Sequence, residues 1–196
     1  MRTVIVFNHP NEGSYCNAIL QSVTIGLQKA DHEVDLMHLD NDGFNPAMSK
    51  SDLKAFVEHR PVDPQVIDYN QRLKEADHLI LIFPIWWDIM PAMTKGFIDR
   101  VLSPGVAYDH HPRGFGLVPL LKKLKSVTII TTMNKPRIMY SLLIGNLIRK
   151  TMLRSVFKTI GYKNLHWISF TSVKRVSKER RVKWLSGLEN RFSELN

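Results

Sequence analysis

The chain of 196 residues is 44% hydrophobic and 23% charged, which is typical of one soluble domain with a sizeable core. Its net charge is +9, from 27 Lys and Arg against 18 Asp and Glu, and Cys16 is its only cysteine. A single cysteine excludes an intramolecular disulfide and predicts a reducing, cytoplasmic setting. No apolar run approaches the roughly 20 residues that cross a bilayer, so no membrane insertion is expected.

Patterns typical of strands and of helices alternate along the chain. An unbroken apolar run indicates a strand buried on both faces, whereas apolar residues spaced by three and four indicate a surface helix. We predict, in chain order, a strand at 2–7, a helix at 14–29, a strand at 33–39, helices at 51–58 and 64–74, a strand at 79–83, a helix at 91–102, a strand at 126–132, a helical region at 137–159 interrupted near Gly145 or Asn146, a strand at 165–172 and a helix at 178–195. The connections 40–46 and 106–119 are rich in turn residues and are predicted to be irregular.

Five strands separated by helices predict a doubly wound parallel sheet with helices on both faces. Such sheets bind ligands at a crevice beyond the carboxyl ends of the strands, where the strand order reverses. The loops at 9–14, 84–90 and 131–136 follow the first, third and fourth strands. We therefore expect these three loops to form the binding site.

Two tryptophans, Trp86 and Trp87, stand at the carboxyl end of the third strand. Pro84 ends the strand because it has no N–H to donate, and Pro91 suits the first position of the next helix. The two indoles either flank a flat aromatic ligand or pack beneath a loop, and this segment alone leaves both interpretations open.

The first loop opens a helix, and the free N–H groups of a helix N-terminus suit a phosphate. Ser14 and His9 add further donors, although no dinucleotide-binding fingerprint or P-loop motif is present. A hydrolytic triad of Ser14, His9 or His110, and Asp88 is disfavoured because no nucleophile elbow presents the serine. Cys16 is interpreted as a small core residue. No metal site is predicted, because His110 and His111 lack partners at ligand spacing.

The excess of positive charge lies mostly in the second half of the chain. We interpret it chiefly as solvated helix faces, although such a field also attracts anionic ligands, nucleic acid or anionic lipid. No zinc-finger spacing, RNP aromatics or basic region with heptads is present, so no nucleic-acid partner is predicted.

Several motifs occur in the order and spacing of a known family. They are HPNEGSYCNA at 9–18, FNP at 44–46, FPIWW at 83–87, MPA at 90–92, KGFIDRV at 95–101 and MYS at 139–141. On these motifs the chain resembles the flavodoxin-like NAD(P)H:quinone oxidoreductases, the family of mammalian DT-diaphorase and its bacterial relatives. The resemblance implies a single flavodoxin-like domain over residues 1–196. It implies bound FAD, with FMN as the alternative, and hydride transfer from NAD(P)H to a quinone or similar small aromatic acceptor.

The matched positions imply a role for each residue of the site. By this resemblance, His9, Ser14, Tyr15, Cys16 and Ala18 hold the phosphates, Pro84, Ile85, Trp86, Trp87 and Asp88 wrap the isoalloxazine, and Thr131, Thr132, Met133, Asn134 and Tyr140 lie near its pyrimidine edge. The resemblance also implies a homodimer with the flavin at the subunit boundary. In that dimer Tyr108 and His110 reach the other subunit's site, and with Tyr140 they are the candidate catalytic residues.

Three positions depart from the family pattern. Met133-Asn134 stands in place of a Gly-Gly pair, and Asp88 adds a negative charge close to the ring. Asn146 stands in place of a histidine and cannot take up a proton, which puts quinone turnover by the usual relay in question. The alternatives are an azo- or nitroreductase, and a flavin-binding regulatory subunit of a membrane transporter.

Overall fold

The computed structural model describes residues 1–112 and 114–195. Its strands are β1 (Arg2–Phe7), β2 (Glu33–His38), β3 (His78–Pro84), β4 (Tyr108–His110), β5 (Leu117–Pro119), β6 (Ser126–Thr132) and β7 (Leu165–Phe170). Its helices are α1 (Tyr15–Lys29), α2 (Lys50–Val57), α3 (Pro64–Lys74), α4 (Ala92–Val101), α5 (Arg137–Leu142) and α6 (Lys178–Ser193), and a π-helix spans Arg149–Lys158.

Five of the strands form one parallel sheet in the order β2-β1-β3-β6-β7. The chain runs outward in both directions from the β1–β3 pair, which is the doubly wound topology of the flavodoxin-like order. Every residue of β3 and of β6 is buried, as their unbroken apolar runs predicted. The predicted fold class is confirmed.

The side chains of β1 alternate between two cores, one on each face of the sheet. Ile5 and Phe7 pack with α1 and α6, whereas Val4 and Val6 pack with α3, α4 and the π-helix. Close approach of the layers depends on small residues. A Cβ added to Gly26 of α1 would lie 2.5 Å from the carbonyl oxygen of Glu189 in α6.

Two regions differ in detail from the predictions. The stretch 106–119 contains an antiparallel pair, β4 with β5, whose strands of three residues are too short to show a periodic pattern. The helical region 137–159 is broken where predicted, because Gly145 and Asn146 have φ of +78° and +54°. Its second half is wound as a π-helix, which the sequence pattern did not indicate.

Within the described residues, no helix is both long and apolar enough to cross a membrane. The same residues contain no group of three or more His, Cys, Asp or Glu that could hold a metal ion.

Candidate active site

A cleft of ≈ 420 Å³ opens at the carboxyl ends of the parallel strands. It is lined by His9 and Tyr15 following β1, Pro84, Ile85 and Trp86 at the end of β3, Thr132, Met133 and Asn134 at the end of β6, and Val173, Lys174 and Arg181 following β7. The three loops that were expected to meet therefore do so, and a fourth connection joins them. A larger cavity, of ≈ 760 Å³, lies between β7 and α6 at the outer edge of the sheet, away from the switch point.

The entrance of α1 forms one wall of the cleft. Ser14 caps the helix, and its Oγ accepts a hydrogen bond from the N–H of Asn17 at 3.1 Å. The N–H of Ala18 donates to the carbonyl of Ser14 at 3.2 Å, so Ala18 lies in the first turn. Nδ1 of His9 accepts from the N–H of Asn11 at 3.1 Å, so the neutral ring carries its proton on Nε2. Because burial lowers the pKa of His9, the ring is a neutral donor beside a helix N-terminus, which suits a phosphate.

A tight turn carries the two tryptophans at the mouth of the cleft. Trp86 and Ile89 exchange both backbone hydrogen bonds, at 3.0 and 3.1 Å, and the two residues between them have positive φ. Those values, +49° at Trp87 and +66° at Asp88, are typical of a type I′ turn, which normally needs Asn and Gly. The side chain of Trp87 is 98% exposed and Trp86 is 46% exposed. The interpretation that both indoles pack beneath a loop is therefore wrong.

Two polar side chains, those of Lys135 and Tyr140, hold this turn in place. Nζ of Lys135 lies 2.5 and 2.7 Å from the two carboxylate oxygens of Asp88. The hydroxyl of Tyr140 donates to the backbone carbonyl of Asp88 at 2.9 Å and accepts from the N–H of Ile148 at 3.1 Å. The negative charge expected at Asp88 is thus balanced by Lys135, a residue that sequence reasoning missed because the two lie 47 positions apart.

The buried hydroxyl of Tyr140 is engaged on both sides, and the residue does not line the cleft. Its position indicates that it supports the aromatic turn from behind. Asn146 donates from Nδ2 to Oγ of Ser141 at 3.0 Å, so it belongs to the same support and not to the cleft wall.

The fourth loop contributes residues that face in opposite directions. Thr132 faces α1, where its Oγ1 lies 3.2 Å from Sγ of Cys16. Thr131 faces the other side of the sheet and accepts from Nε1 of Trp167 at 3.0 Å, so its side chain lies outside the cleft. Cys16 is buried, and burial raises the pKa of its thiol to about 11, which keeps it a neutral core residue as interpreted from the sequence.

Lys174 and Arg181 also line the cleft, and sequence reasoning missed both of them as site residues. The hydroxyl of Tyr15 donates to the backbone carbonyl of Arg181 at 2.9 Å and ties α6 to the first loop. Nε of Arg181 is buried and has no hydrogen-bond partner among the described residues. The two cations in the lining, Lys174 and Arg181, suit an anionic ligand group.

Tyr108 and His110 lie in β4, outside the cleft of their own chain. Tyr108 is half-buried and lines a separate cavity with Ile98 and Leu102, and His110 is exposed. Their role at the site of another subunit stays a prediction.

The cleft fits the flavin that the resemblance implies. Its volume is within the range of about 300–1,000 Å³ that is common for small-molecule pockets. A flat apolar surface at Ile85 and Trp86, the entrance of α1 beside His9, and the cations Lys174 and Arg181 match the ring and the phosphate end of a flavin.

Residues 1–191 match the model of a family described by its flavodoxin-like fold, and the chain belongs to that family. An uncharacterized NAD(P)H oxidoreductase of Escherichia coli, YcaK, is 33% identical over 119 residues, which is 60% of this chain and 61% of that protein. NAD(P)H dehydrogenase [quinone] 1 of the rat is 29% identical over 126 residues, covering 56% of this chain and 46% of the rat protein. The chain thus matches less than two thirds of the length of either relative. The predicted resemblance is confirmed.

Solved structures agree on the fold. Smu.1420 from Streptococcus mutans superposes with a TM-score of 0.85 at 29% identity, covering 100% of both chains. An FMN-dependent NADH-azoreductase from Bacillus anthracis, in complex with FMN, superposes with a TM-score of 0.78 at 14% identity, covering 98% of this chain and 97% of that one. At that identity the second match supports the fold alone.

Proposed function

We propose that the protein is a flavin-dependent NAD(P)H oxidoreductase that passes hydride through FAD to a quinone or similar aromatic acceptor. The observation that carries the proposal is the turn at Trp86–Ile89, which holds two exposed indole rings at the mouth of a switch-point cleft. Trp87 and Asp88 have positive φ there, a backbone conformation that favours glycine. A conformation of this cost, of the order of 1–3 kcal/mol per residue, persists where function requires it.

In this proposal each wall of the cleft holds one part of the cofactor. Pro84, Ile85 and Trp86 contact the isoalloxazine, and Trp87 closes over it from its exposed position. Met133 and Asn134 lie at the pyrimidine edge. The first turn of α1, with His9, receives the phosphate nearest the ring.

The cations in the cleft lining favour FAD over FMN. FMN has one phosphate, which the entrance of α1 and His9 satisfy by themselves. Lys174 and Arg181 are two further cations in the lining, and the second phosphate of FAD would give them an anionic partner. NAD(P)H is the proposed reductant, which is consistent with a cytoplasmic setting.

When bound, the flavin supplies hydride transfer, and the residues of this chain position it and exclude water. Asp88 and Lys135 form a neutral pair, so they place the aromatic turn without adding net charge beside the ring. The hydroxyl of Tyr140 fixes the same turn and is not free to give a proton to a substrate. A proton for the acceptor then comes from solvent or from His110 of a second subunit.

A homodimer with the flavin at its boundary is part of the proposal. Large apolar side chains on the aromatic turn and in and just after α5 are exposed, and exposed apolar side chains in number favour an interaction site. They are Trp87, Ile89, Ile138, Met139, Leu142 and Leu143. A second copy that covers them would bring its Tyr108 and His110 over the ring.

The proposal is tested with purified protein reconstituted with FAD. We expect a yellow 1:1 complex that oxidises NADPH only when menadione is added, with the azo dye methyl red and a nitroarene as competing acceptors. A yellow protein inert to NADH and NADPH would favour the regulatory-subunit alternative. A colourless protein that takes up neither FAD nor FMN would refute every flavin-based function.

A further inference from the structure

A second cleft, also of ≈ 420 Å³, lies between the π-helix and β7 and shares no lining residue with the candidate active site. Four exposed cations line it, namely Arg149, Arg154, Lys158 and Lys163. No carboxylate lines the cleft, and none of the four cations forms an ion pair with another residue that the structure describes.

The winding of the π-helix brings three of these cations together. Lys158 follows Arg149 by nine positions, which in an α-helix is about two and a half turns and would place the two side chains on opposite sides. A helix with i→i+5 hydrogen bonds makes about two turns over the same residues, so both side chains face the same way. Arg154, five residues after Arg149, falls on the same side.

Side-chain hydroxyls follow the same wide winding. Oγ of Ser155 donates to the carbonyl of Lys150 at 2.9 Å, and Oγ1 of Thr159 donates to the carbonyl of Arg154 at 3.0 Å. Both bonds span five residues. A π-helix of ten residues is unusual, and π-type segments are frequent at functional sites.

We propose that this cleft binds a ligand with clustered phosphate groups. Four cations in one concave site repel one another until an anion enters, and their number exceeds what a single carboxylate would balance. Two guanidinium forks match the oxygens of phosphate, and two ammonium groups add point charges. The volume admits more than one phosphate.

The remaining surface of the cleft is apolar and accommodates the organic part of such a ligand. Leu153 and Leu165 line it, and the hydroxyl of the buried Tyr162 donates inward to the carbonyl of Ala107 at 3.1 Å. A soluble organic polyphosphate and the headgroup of a phosphorylated lipid share this chemistry. The experiment distinguishes these two sources.

The test compares two charge-reversed variants in FAD-saturated protein, so that a phosphate probe cannot occupy the first cleft. Arg154→Glu with Lys158→Glu changes the π-helix cleft, and Lys74→Glu with Lys183→Glu makes the same change in net charge elsewhere. All four side chains are exposed, so both variants are expected to fold, which circular dichroism checks. Arg154→Gln alone is a milder substitute in case the reversal unfolds the chain.

The probes are sodium tripolyphosphate, measured by titration calorimetry, and phosphatidylcholine vesicles with phosphatidic acid, measured by flotation. We expect saturable binding that weakens at least tenfold in R154E/K158E and less than about twofold in K74E/K183E, since each lost charged contact is worth about tenfold. Binding of tripolyphosphate identifies a soluble ligand, and binding of vesicles alone identifies a lipid headgroup. No binding of either probe, or equal loss in both variants, would overturn the proposal.

Discussion

Replacing Trp87 with alanine separates binding of a ligand from support of the fold. Because this side chain is 98% exposed, its removal leaves no cavity in either core. Substitutions at such surface positions change the free energy of unfolding by about 0.5 kcal/mol or less. For a chain of this size, that corresponds to a shift in Tm of about 1–2 °C.

The expected loss in flavin binding is larger. Stacking of a nucleic-acid base on an aromatic side chain is worth about 1–3 kcal/mol by alanine substitution, and the isoalloxazine is a flat ring of the same kind. We therefore expect the Kd for FAD to rise by about 5- to 150-fold in Trp87→Ala.

Two measurements on the same samples check this expectation: titration of FAD by flavin fluorescence, and thermal unfolding of the flavin-free protein. Val57→Ala is the matched control, because Val57 is 79% exposed on α2 and lines no part of the cleft. If Tm falls by more than about 5 °C in Trp87→Ala while the FAD affinity is unchanged, the indole supports the fold and our assignment is wrong.

Three further outcomes follow from the contacts. Lys135→Met removes the partner of Asp88, so FAD affinity should drop about tenfold. Adding Asp88→Gly should restore the affinity, because glycine adopts the positive φ without strain. FAD titration of the single and the double variant measures both effects. Burial lowers the pKa of His78 below its unfolded value of about 6.5, so the unfolded chain binds protons first and the free energy of unfolding declines as the pH falls below about 7. Urea unfolding between pH 8 and 5 measures this decline. It should be smaller in His78→Gln and unchanged in the exposed control His166→Gln. Cys16, with its thiol pKa raised to about 11, should react with Ellman's reagent at pH 8 only after unfolding in guanidinium, and rapid labelling of the native protein would contradict its placement.

The topology of the sheet was predictable because buried parallel strands have sequences that are unbroken apolar runs. The residues 79–83 and 126–132 show this pattern, and they became the central strands β3 and β6. Their order then fixes which loops meet, so the convergence of His9, Trp86 and Met133 on one cleft followed from topology alone. The π-helix was not predictable, since its i→i+5 bonds leave no period that differs clearly from an irregular helix.

Contacts between distant residues were beyond sequence reasoning. Lys135, in the loop after β6, meets Asp88, and Arg181 of α6 meets Tyr15, although 47 and 166 positions separate the partners along the chain. The opposite directions of Thr131 and Thr132, by contrast, were available from the alternation of side chains along a strand. Applying that rule would have assigned only Thr132 to the cleft.

A crystal structure of the protein grown with FAD tests the central claim most directly. We predict a ring system stacked at Trp86 and Trp87, a phosphate at the first turn of α1, and the second phosphate or adenosine within hydrogen-bond distance of Arg181. Density for FAD anywhere else, or a cleft closed by the protein's own side chains at saturating FAD, would contradict the account.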